Sequence, residues 1–328
     1  MNLPDTFTYR APTIDDVDVV AALADVVAYA LIGRGAIESH DYLLNSWYGT
    51  AQDHTESLQG KHLLVFSPDS TLVAYLETEN QLTDGIFWFN VIMHPDYQSE
   101  LLFHALRAQA ETWAQAQVVE QPTGGYQLIT QGWAQDKIYA SYMQSAGYEM
   151  VRFWKRMEIE MDAPPPALHL SNGFSIRPYR RGEDDQKIFN AWREAMADDW
   201  GSTTDLTLDE FMFYKVSRES EQDLSLWHFA MDGDEIAGFT IARWERAGDP
   251  EAGHIRDVGV RRAYRRKGLA LALLHATFAE FYRQGKPRVS LGVDGLNANG
   301  ANQLYERAGM TATLTQYKYG KPLTKAKS

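Results

Sequence analysis

The chain has 328 residues, and its 44 acidic and 31 basic side chains give a formal net charge of −13. This balance argues against general nucleic-acid binding, which needs a basic surface, and the absence of cysteine excludes disulfides, thiolate nucleophiles and cysteine metal sites. Because the sequence shows neither a secretory signal nor an apolar run of about 20 residues, we expect a cytoplasmic protein that does not bind a membrane.

The first half of the chain predicts alternating strands and helices. Short β-branched or apolar runs indicate strands, and longer stretches of helical apolar periodicity indicate helices. In chain order, the pattern predicts a strand at 9–10, a helix over 17–30, strands at 71–76 and 91–93, a long helix over 99–116 and a short helix ending at 146–147.

Three consecutive prolines, Pro164 to Pro166, lie almost at the midpoint of the chain. Proline has no backbone N–H to donate and favours an extended spacer. The length also favours two domains over one. We therefore predict one domain over residues 1–162, a linker over 163–171 and a second domain over 172–328.

The second half repeats the order of the first. Repeats of this length are whole domains rather than solenoid units. The predicted fold class is α/β with a mixed sheet of α+β type: two tandem domains, each with a central mixed sheet flanked by helices. The predicted elements are a strand at 176–178, a helix over 188–196, strands at 235–240 and 254–260, a helix over 268–283, a strand at 288–293 and a short helix ending at 308–309.

A basic turn between a strand and a helix carries the most informative pattern. The turn contains Arg265, Arg266 and Lys267, and the helix begins near Gly268. A helix N-terminus presents unpaired N–H groups and the positive end of the helix dipole, so it binds anions. Because Gly268 and Ala270 have almost no side chain, a bulky anion can approach the backbone closely. The pattern predicts a site for a diphosphate.

This stretch resembles motif A of the GNAT N-acetyltransferase superfamily, whose core is Arg/Gln-x-x-Gly-x-Gly/Ala. A later stretch resembles motif B, in which a strand and an Asn precede Leu-Tyr-x-x-x-Gly-Phe/Met. The resemblance covers roughly 174–320, and a fainter version covers the first half, so the architecture is similar to the tandem type of the mycothiol synthases. The motif residues are Arg265-Arg266-Lys267-Gly268-Leu269-Ala270, then Val289 to Asn297, Leu304-Tyr305 and Gly309-Met310.

The resemblance implies acetyl-CoA as a co-substrate and no metal ion. In this family the pantetheine arm enters between two parallel strands, here 254–260 and 288–293, and Gly259 is expected to allow a bulge in the first of them. Tyr305 matches the general acid that protonates the leaving thiolate. The implied coenzyme contacts are Val258, Gly259 and Val260 for the arm, Arg265, Arg266, Lys267, Gly268, Leu269 and Ala270 for the diphosphate, and Asn297, Asn302 and Tyr305 beside the arm.

The base that deprotonates the acceptor amine stays open between two residues and water. Several family members have a Glu six residues before the strand-end Val, and this sequence has His254 there, whose imidazole titrates near neutral pH. Asp257 is the other candidate. Because side chains alternate along a strand, we expect 254 and 257 on opposite faces, so that at most one faces the cleft.

The first half lacks the residues that carry these roles. The two small residues of the loop are replaced by Leu101 and Phe103, Glu100 replaces a basic residue, and Met143 stands where the second half has its motif tyrosine. We therefore predict that the first domain is a degenerate GNAT-like domain with a structural or substrate-lining role.

The resemblance does not fix the acceptor, because one fold serves many substrates. We expect an N-acetyltransferase that acts on a primary amine of a small molecule. We also expect a monomer whose two domains form a pseudo-dimer. Two alternatives stay open: a CoA- or small-molecule-binding sensor without turnover, and a protein acetyltransferase that acts on lysine or an N-terminus.

Overall fold

The structure is a computed structural model that describes residues 6–35, 40–48, 58, 61–81, 85–118, 125–166, 170, 173–198, 206–216, 220–297 and 300–323. Residues 167–169 and 171 of the predicted linker lie outside these ranges. Within the described residues, no helix is both long and apolar enough to cross a membrane.

Strands and α-helices are interspersed along the chain. The strands are β1 (Thr8–Arg10), β2 (Leu63–Phe66), β3 (Leu72–Gln81), β4 (Ile86–Met93), β5 (Tyr126–Trp133), β6 (Glu149–Glu160), β7 (Phe174–Pro178), β8 (His228–Asp232), β9 (Glu235–Arg243), β10 (Gly253–Val260), β11 (Arg288–Asp294) and β12 (Thr311–Leu323). The helices are α1 (Val17–Ile32), α2 (His40–Tyr48), α3 (Glu100–Gln117), α4 (Lys137–Ser145), α5 (Asp185–Met196), α6 (Leu208–Phe211), α7 (Glu221–Ser225), α8 (Leu269–Arg283) and α9 (Ala301–Arg307).

The chain divides into two compact units. Unit 1 comprises Met1–Phe153, Ala247–Asp249 and Leu314–Ser328, and unit 2 comprises Trp154–Arg246 and Pro250–Thr313. The strand order is β1-β2-β3-β4-β5-β12 in unit 1 and β7-β8-β9-β10-β11-β6 in unit 2. Each sheet is mixed and flanked by helices, which confirms the predicted fold class.

The last strand of each sheet comes from the opposite half of the chain. Residues 316–323 of β12 pair antiparallel with residues 126–133 of β5 in unit 1. Residues 154–160 of β6 pair antiparallel with residues 288–294 of β11 in unit 2. The predicted segments 1–162, 163–171 and 172–328 did not include this exchange, and those boundaries stay a prediction.

An arginine–aspartate pair fixes the turn from the first strand to the first helix in each unit. In unit 1, Nη1 and Nη2 of Arg10 donate to the carboxylate of Asp16 at 2.6 and 2.7 Å. In unit 2, Nη1 and Nη2 of Arg177 donate to Asp184, each at 2.7 Å. A two-point pair of this kind fixes orientation as well as distance. Its recurrence shows that the two halves repeat one local structure.

Helices cover both faces of each sheet through separate apolar clusters. In unit 1, α1 and α2 pack around Tyr75 on one face, and α3 and α4 pack around Phe103 on the other. In unit 2, α5 packs around Phe239 on one face, and α8 and α9 pack around Leu291 on the other. Each unit therefore buries its own core between layers.

Candidate active site

The strands β10 and β11 diverge within unit 2. Their parallel pairing covers residues 253–255 opposite residues 289–291. Beyond this point β10 remains paired with β9 as far as Val260, whereas β11 remains paired with β6 as far as Asp294. The inner edges of the two strands therefore carry backbone groups to which an extended ligand can bind as a strand does.

A β-bulge at Arg256 decides which side chains of β10 share a face. His254 pairs with Arg243 of β9 and Asp257 pairs with Ile241, so β10 has one extra residue between them. Paired residues share a face, and 241 and 243 lie on one face of β9. His254 and Asp257 therefore both lie on the face covered by α5. The expectation of opposite faces is wrong, because the bulge interrupts the alternation.

Gly259 has a packing role. A Cβ atom at this position would lie 2.4 Å from Cζ of Phe239 and 3.0 Å from Cε of Met196. The expectation that Gly259 permits a bulge is wrong, since the bulge falls at Arg256. The missing side chain instead leaves room for the aromatic ring of the neighbouring strand.

His254 is largely buried beside guanidinium groups. Nη1 of Arg246 lies 3.2 Å from Nδ1 of His254, and Oγ of Ser290 lies 3.4 Å from the same atom. Because arginine can only donate, Nδ1 accepts and the ring proton lies on Nε2. Burial, and then the charges of Arg246 and Arg256, lower the pKa of His254 to about 3. The imidazole is therefore neutral at pH 7 and a weak base.

Asp257 is held in an ion pair. Nζ of Lys215 lies 2.8 Å from Oδ2 of Asp257, and 5.3 Å from the centre of the Trp192 ring. Burial acts to raise the pKa of Asp257, but the charge and hydrogen bond of Lys215, together with smaller contributions from Arg256 and Trp192, outweigh it, and the net shift is downward. Lys215 lies in a π-helical turn, Met212–Val216, a feature common at functional sites. Sequence reasoning missed Lys215, because no local pattern places residue 215 beside residue 257.

The start of α8 presents a row of backbone donors. Gly268 is the N-cap with φ of 79°, Arg266 has φ of 63°, and no side chain caps the helix. Among the described residues, the N–H groups of 266–271 have no acceptor, and Ala272 is the first to donate back, to the carbonyl of Gly268. Adjacent open N–H groups at a helix start bind anions. The arrangement has the donors that a diphosphate requires.

The side chains of the basic turn differ in what they contact. Nη1 of Arg265 donates to Asp198 at 3.3 Å, which holds this guanidinium against the end of α5. Nζ of Lys267 lies 5.2 Å from the ring centre of Tyr264, and Arg266 is exposed. Arg266 and Lys267 are therefore better placed than Arg265 to add positive charge at the start of α8.

Leu269 is a core residue. It is 1% exposed and packs in an apolar cluster with Ala237 and Leu273. Ala270, the next residue, is half-buried. At these two positions an anion can therefore interact only with the backbone N–H groups.

Tyr305 lies on the other face of the sheet from His254. It is 7% exposed and belongs to the apolar cluster that contains Ile255 and Leu291, beneath α8. The candidate acid and the two candidate bases, His254 and Asp257, therefore lie on opposite faces, with the divergence of β10 and β11 between them.

The two candidate asparagines gather at the end of β11. The backbone N–H of Asn297 donates to the carbonyl of Asp294 at 3.1 Å, and Nδ2 of Asn302 is 3.4 Å from that carbonyl. Oδ1 of Asn302 is buried and accepts no hydrogen bond from the described part of the chain. Since a buried amide oxygen normally has a donor, Asn302 can accept one from a ligand.

In unit 1, a side chain caps the N-terminus of the corresponding helix. Ser99 is the N-cap of α3, and its hydroxyl accepts from the N–H of Leu102 at 3.2 Å. Phe103 is fully buried against Tyr139, and Met143 is fully buried in the same cluster. Where unit 2 has its predicted phosphate loop and general acid, unit 1 therefore has a side-chain-capped helix start and buried core residues.

Parallel strands diverge in unit 1 as well, but a tyrosine stands beside them. Pairing of β4 with β5 ends at Trp88 opposite Ile129. Just beyond, the ring of Tyr139 would be 2.6 Å from a Cβ at Gly132, and its hydroxyl is 2.5 Å from Oγ1 of Thr130. When the Ala-Gly pairs that end the two halves are aligned, Tyr139 corresponds to Ala301 of unit 2.

Metal binding has no visible basis in the ranges that the structure describes. No group of three or more His, Asp or Glu side chains there is placed to hold a metal ion. The functional groups of unit 2 are thus an open helix start, two diverging strand edges and the side chains around His254, Asp257 and Tyr305.

Comparison with known proteins identifies the class to which this site belongs. The acetyltransferase (GNAT) family model matches residues 186–310, which lie in unit 2. This part of the chain therefore contains a GNAT acetyltransferase domain, as its motifs predicted, and an acyltransferase is the supported kind of enzyme.

Full-length relatives extend the likeness to both units. A mycothiol acetyltransferase of Geodermatophilus obscurus is 27% identical over 314 residues, which are 92% of this chain and 95% of that protein. The solved GCN5-related N-acetyltransferase from Sphaerobacter thermophilus is 29% identical with a TM-score of 0.80, covering 98% of this chain and 97% of its own. A tandem GNAT protein from the clavulanic acid biosynthesis pathway has a TM-score of 0.73, covering 98% of this chain and 100% of its own. At 13% identity, this similarity shows only that the two proteins share a fold. The predicted tandem GNAT architecture is confirmed.

Proposed function

We propose that unit 2 binds acetyl-CoA and catalyses transfer of its acetyl group to a primary amine of a small molecule. The observation that carries this proposal is the row of open N–H groups at residues 266–271, next to the strand edge of β10. The name of the matched relatives, mycothiol acetyltransferase, favours a small-molecule acceptor over a protein. We also infer that the chain acts as a monomer, which size-exclusion chromatography can test.

The residues present fit the coenzyme at both ends of this region. The N–H groups of 266–271, with Arg266 and Lys267, hold the diphosphate. The open backbone edge of Val258 to Val260 holds the pantetheine arm as a neighbouring strand would. Asn302 accepts a hydrogen bond from the arm through Oδ1, which has no donor among the described residues.

The proposed chemistry divides between the two faces of the sheet. Acetyl-CoA supplies the activated acetyl group as a thioester. A backbone N–H on the inner edge of β10 stabilises negative charge on the carbonyl oxygen. On the α8 face, the hydroxyl of Tyr305 donates the proton that the leaving thiolate requires.

We propose that water removes the proton of the acceptor amine. Arg246 donates to Nδ1 of His254, so this nitrogen is already an acceptor, and the lowered pKa makes the imidazole a weak base. Asp257 is ionised and paired with Lys215, which also weakens it as a base. His254 and Asp257 then act on the acceptor side as positioning residues.

The test is release of the CoA thiol from acetyl-CoA in the presence of a panel of primary amines, with the product identified by mass spectrometry. The matched control carries the loop residues of unit 1 in unit 2, Gly268→Leu with Ala270→Phe. We expect transfer by the wild type and none by the control. Binding of acetyl-CoA without transfer to any amine would contradict the enzyme and favour a sensor.

A further inference from the structure

Two carboxylates at the C-terminal end of α5 contact the basic loop between β10 and α8. Oε2 of Glu194 accepts from Nε of Arg261 at 2.7 Å, and Oε1 accepts from the backbone N–H of Arg262 at 3.1 Å. Asp198, two residues beyond α5, accepts from Nη2 of Arg262 at 2.5 Å and from Nη1 of Arg265 at 3.3 Å. Together these five residues form a clamp between α5 and the loop.

The side chain of Arg265 adds contacts with two backbone carbonyls to the clamp. Its Nε donates to the carbonyl of Val260 at 3.1 Å, and its Nη2 lies 3.5 Å from the carbonyl of Ala195, near the end of α5. A cation is favoured at the C-terminal end of a helix, where the carbonyl groups lack helical partners. Arg265 therefore ties the end of β10 to the end of α5.

The backbone directly after the clamp has an unfavourable conformation. Arg266 has φ of 63° although it carries a side chain, and Gly268 has φ of 79°. Left-handed backbone at a residue other than glycine persists where surrounding contacts hold it. The clamp holds the chain before Arg266, and the buried side chain of Leu269 holds it afterwards. The same conformation leaves the N–H groups of 266–271 open among the described residues.

Unit 1 has no carboxylate at either of the two corresponding positions. We align α1 with α5 on the aspartates of their arginine–aspartate pairs. Glu194 then corresponds to Val26, and Asp198 corresponds to Ala30. Both of these residues of unit 1 are exposed. The unit whose helix start is capped by a side chain thus also lacks the clamp, so the fold itself does not require it.

We propose that Glu194 and Asp198 are positioning residues for the coenzyme, which hold the loop so that the N–H groups of 266–271 are in place before the diphosphate binds. This inference rests on the proposed function, and the two carboxylates act through the arginines of the clamp. A loop already held in its bound conformation does not have to be ordered by the ligand, which strengthens binding.

The charge of the two carboxylates has the opposite effect, because a negative charge near the site repels an anion. If Glu194 and Asp198 acted through charge alone, their removal would strengthen the binding of acetyl-CoA. If they position the loop, their removal weakens it. The direction of the change in affinity therefore distinguishes the two explanations.

The experiment measures acetyl-CoA affinity by calorimetry for the wild type, Glu194→Gln, Asp198→Asn and the double variant. We expect each single variant to bind about threefold more weakly and the double variant about tenfold more weakly, as for a network of partly exposed ion pairs. Asp198→Glu, which keeps the charge, should recover part of the loss. Glu183→Gln is the matched control, because Glu183 is an exposed glutamate paired with Arg180 outside the clamp.

Kinetics and hydrogen exchange separate positioning from a loss of the fold. In the double variant, KM for acetyl-CoA should rise while kcat and KM for the amine stay unchanged. Without coenzyme, the backbone amides of 262–268 should exchange faster than in the wild type, and those of the strands in the core should not.

Two kinds of result would overturn the inference and leave the proposed function intact. The first is unchanged or tighter acetyl-CoA binding by the double variant, or an equal loss in Glu183→Gln. The second is weaker binding with no faster exchange in the loop. If the wild type binds no acetyl-CoA, the proposed function fails and the inference fails with it.

Discussion

Units 1 and 2 share one fold, but they differ at the start of the helix that follows the fourth strand. In unit 1, Ser99 caps α3 with its own hydroxyl, and Glu100 places a negative charge in the first turn. In unit 2, Gly268 leaves α8 without a side-chain cap, and residues 266–271 have open N–H groups in the part of the chain that is described. A serine cap satisfies a donor that a ligand would otherwise use.

The second difference lies beside the diverging strands. Tyr139 lies against Gly132 in unit 1 and is hydrogen-bonded to Thr130, whereas its counterpart in unit 2 is Ala301. The two units thus show that this fold needs a core on each face of the sheet, but no side-chain cap at the start of this helix. The capacity for a ligand depends on a few residues at one end of the sheet.

The largest expected difference between the units concerns their tyrosines. Tyr305→Phe should lower kcat by about 100-fold, because the general acid is lost, with acetyl-CoA affinity unchanged. Tyr139→Phe in unit 1 should leave kcat unchanged and lower the free energy of unfolding by about 1 kcal/mol, because it removes the hydrogen bond to Thr130. Steady-state kinetics and denaturant unfolding check both. A loss of kcat in Tyr139→Phe would remove the distinction between the units.

Each unit contains a buried neutral histidine that should destabilise it in acid. Burial, and then neighbouring positive charge, lower the pKa of His62 in unit 1 to about 4 and that of His254 in unit 2 to about 3. Below the ordinary value of 6.5 the unfolded chain binds a proton that the folded chain excludes, so stability falls as pH falls. Between pH 6 and pH 4.5 each histidine should contribute about 1.4 kcal/mol of lost stability per pH unit.

Single variants resolve the two contributions. His62→Gln and His254→Gln should each flatten the acid side of the stability profile, measured by denaturant unfolding from pH 7 to pH 4.5. Only His254→Gln should alter acetyl transfer. Above pH 7 neither histidine changes charge, so a dependence of stability on pH there that disappears in either variant would contradict the lowered pKa values.

A smaller effect is expected at Gly259, which corresponds to Ile92 of unit 1 when Tyr264 is aligned with Tyr97. Gly259→Ala should destabilise unit 2 by about 1–3 kcal/mol, because the new Cβ would overlap the ring of Phe239. Gly292→Ala on β11 is the matched control, since a Cβ there meets no atom within 4 Å. Thermal unfolding should show a lower Tm for the first variant and not for the second. Equal Tm values would mean that Phe239 moves aside freely.

The smallest expected effect separates two adjacent arginines of the loop. Arg266→Gln should weaken acetyl-CoA binding about threefold, and more at low salt, because an exposed charge acts through screened attraction. Arg265→Gln should weaken it less, since Arg265 is held by Asp198. Titrations at two salt concentrations check this order, and the reverse order would show that Arg265 leaves Asp198 to reach the coenzyme.

Local patterns in the sequence predicted the features that are local in the structure. The long helices predicted over 99–116 and 268–283 correspond to α3 (Glu100–Gln117) and α8 (Leu269–Arg283), because helical periodicity, and the glycines that flank α8, are local features of the sequence. The open loop before α8 was predicted for the same reason.

Features that depend on distant residues could not be predicted in this way. The exchange of β6 and β12 between the sheets, the bulge at Arg256 and the ion pair of Lys215 with Asp257 have no local signature. Strand register and bulges are decided by which side chains pack across a sheet, and such packing is fixed only when the chain is folded. The error about the faces of His254 and Asp257 followed directly from one unpredicted bulge.

The most direct test of the difference between the units is the stoichiometry of acetyl-CoA binding by calorimetry. The wild type is compared with Gly268→Glu and Gly268→Gln, which share the strain of a side chain at positive φ and differ only in charge, and with Leu101→Glu at the exposed counterpart in unit 1. We predict one site per chain, lost in Gly268→Glu, weakened less in Gly268→Gln and unchanged in Leu101→Glu. Two sites per chain, or a site that survives Gly268→Glu and disappears in Leu101→Glu, would contradict the assignment of the coenzyme to unit 2.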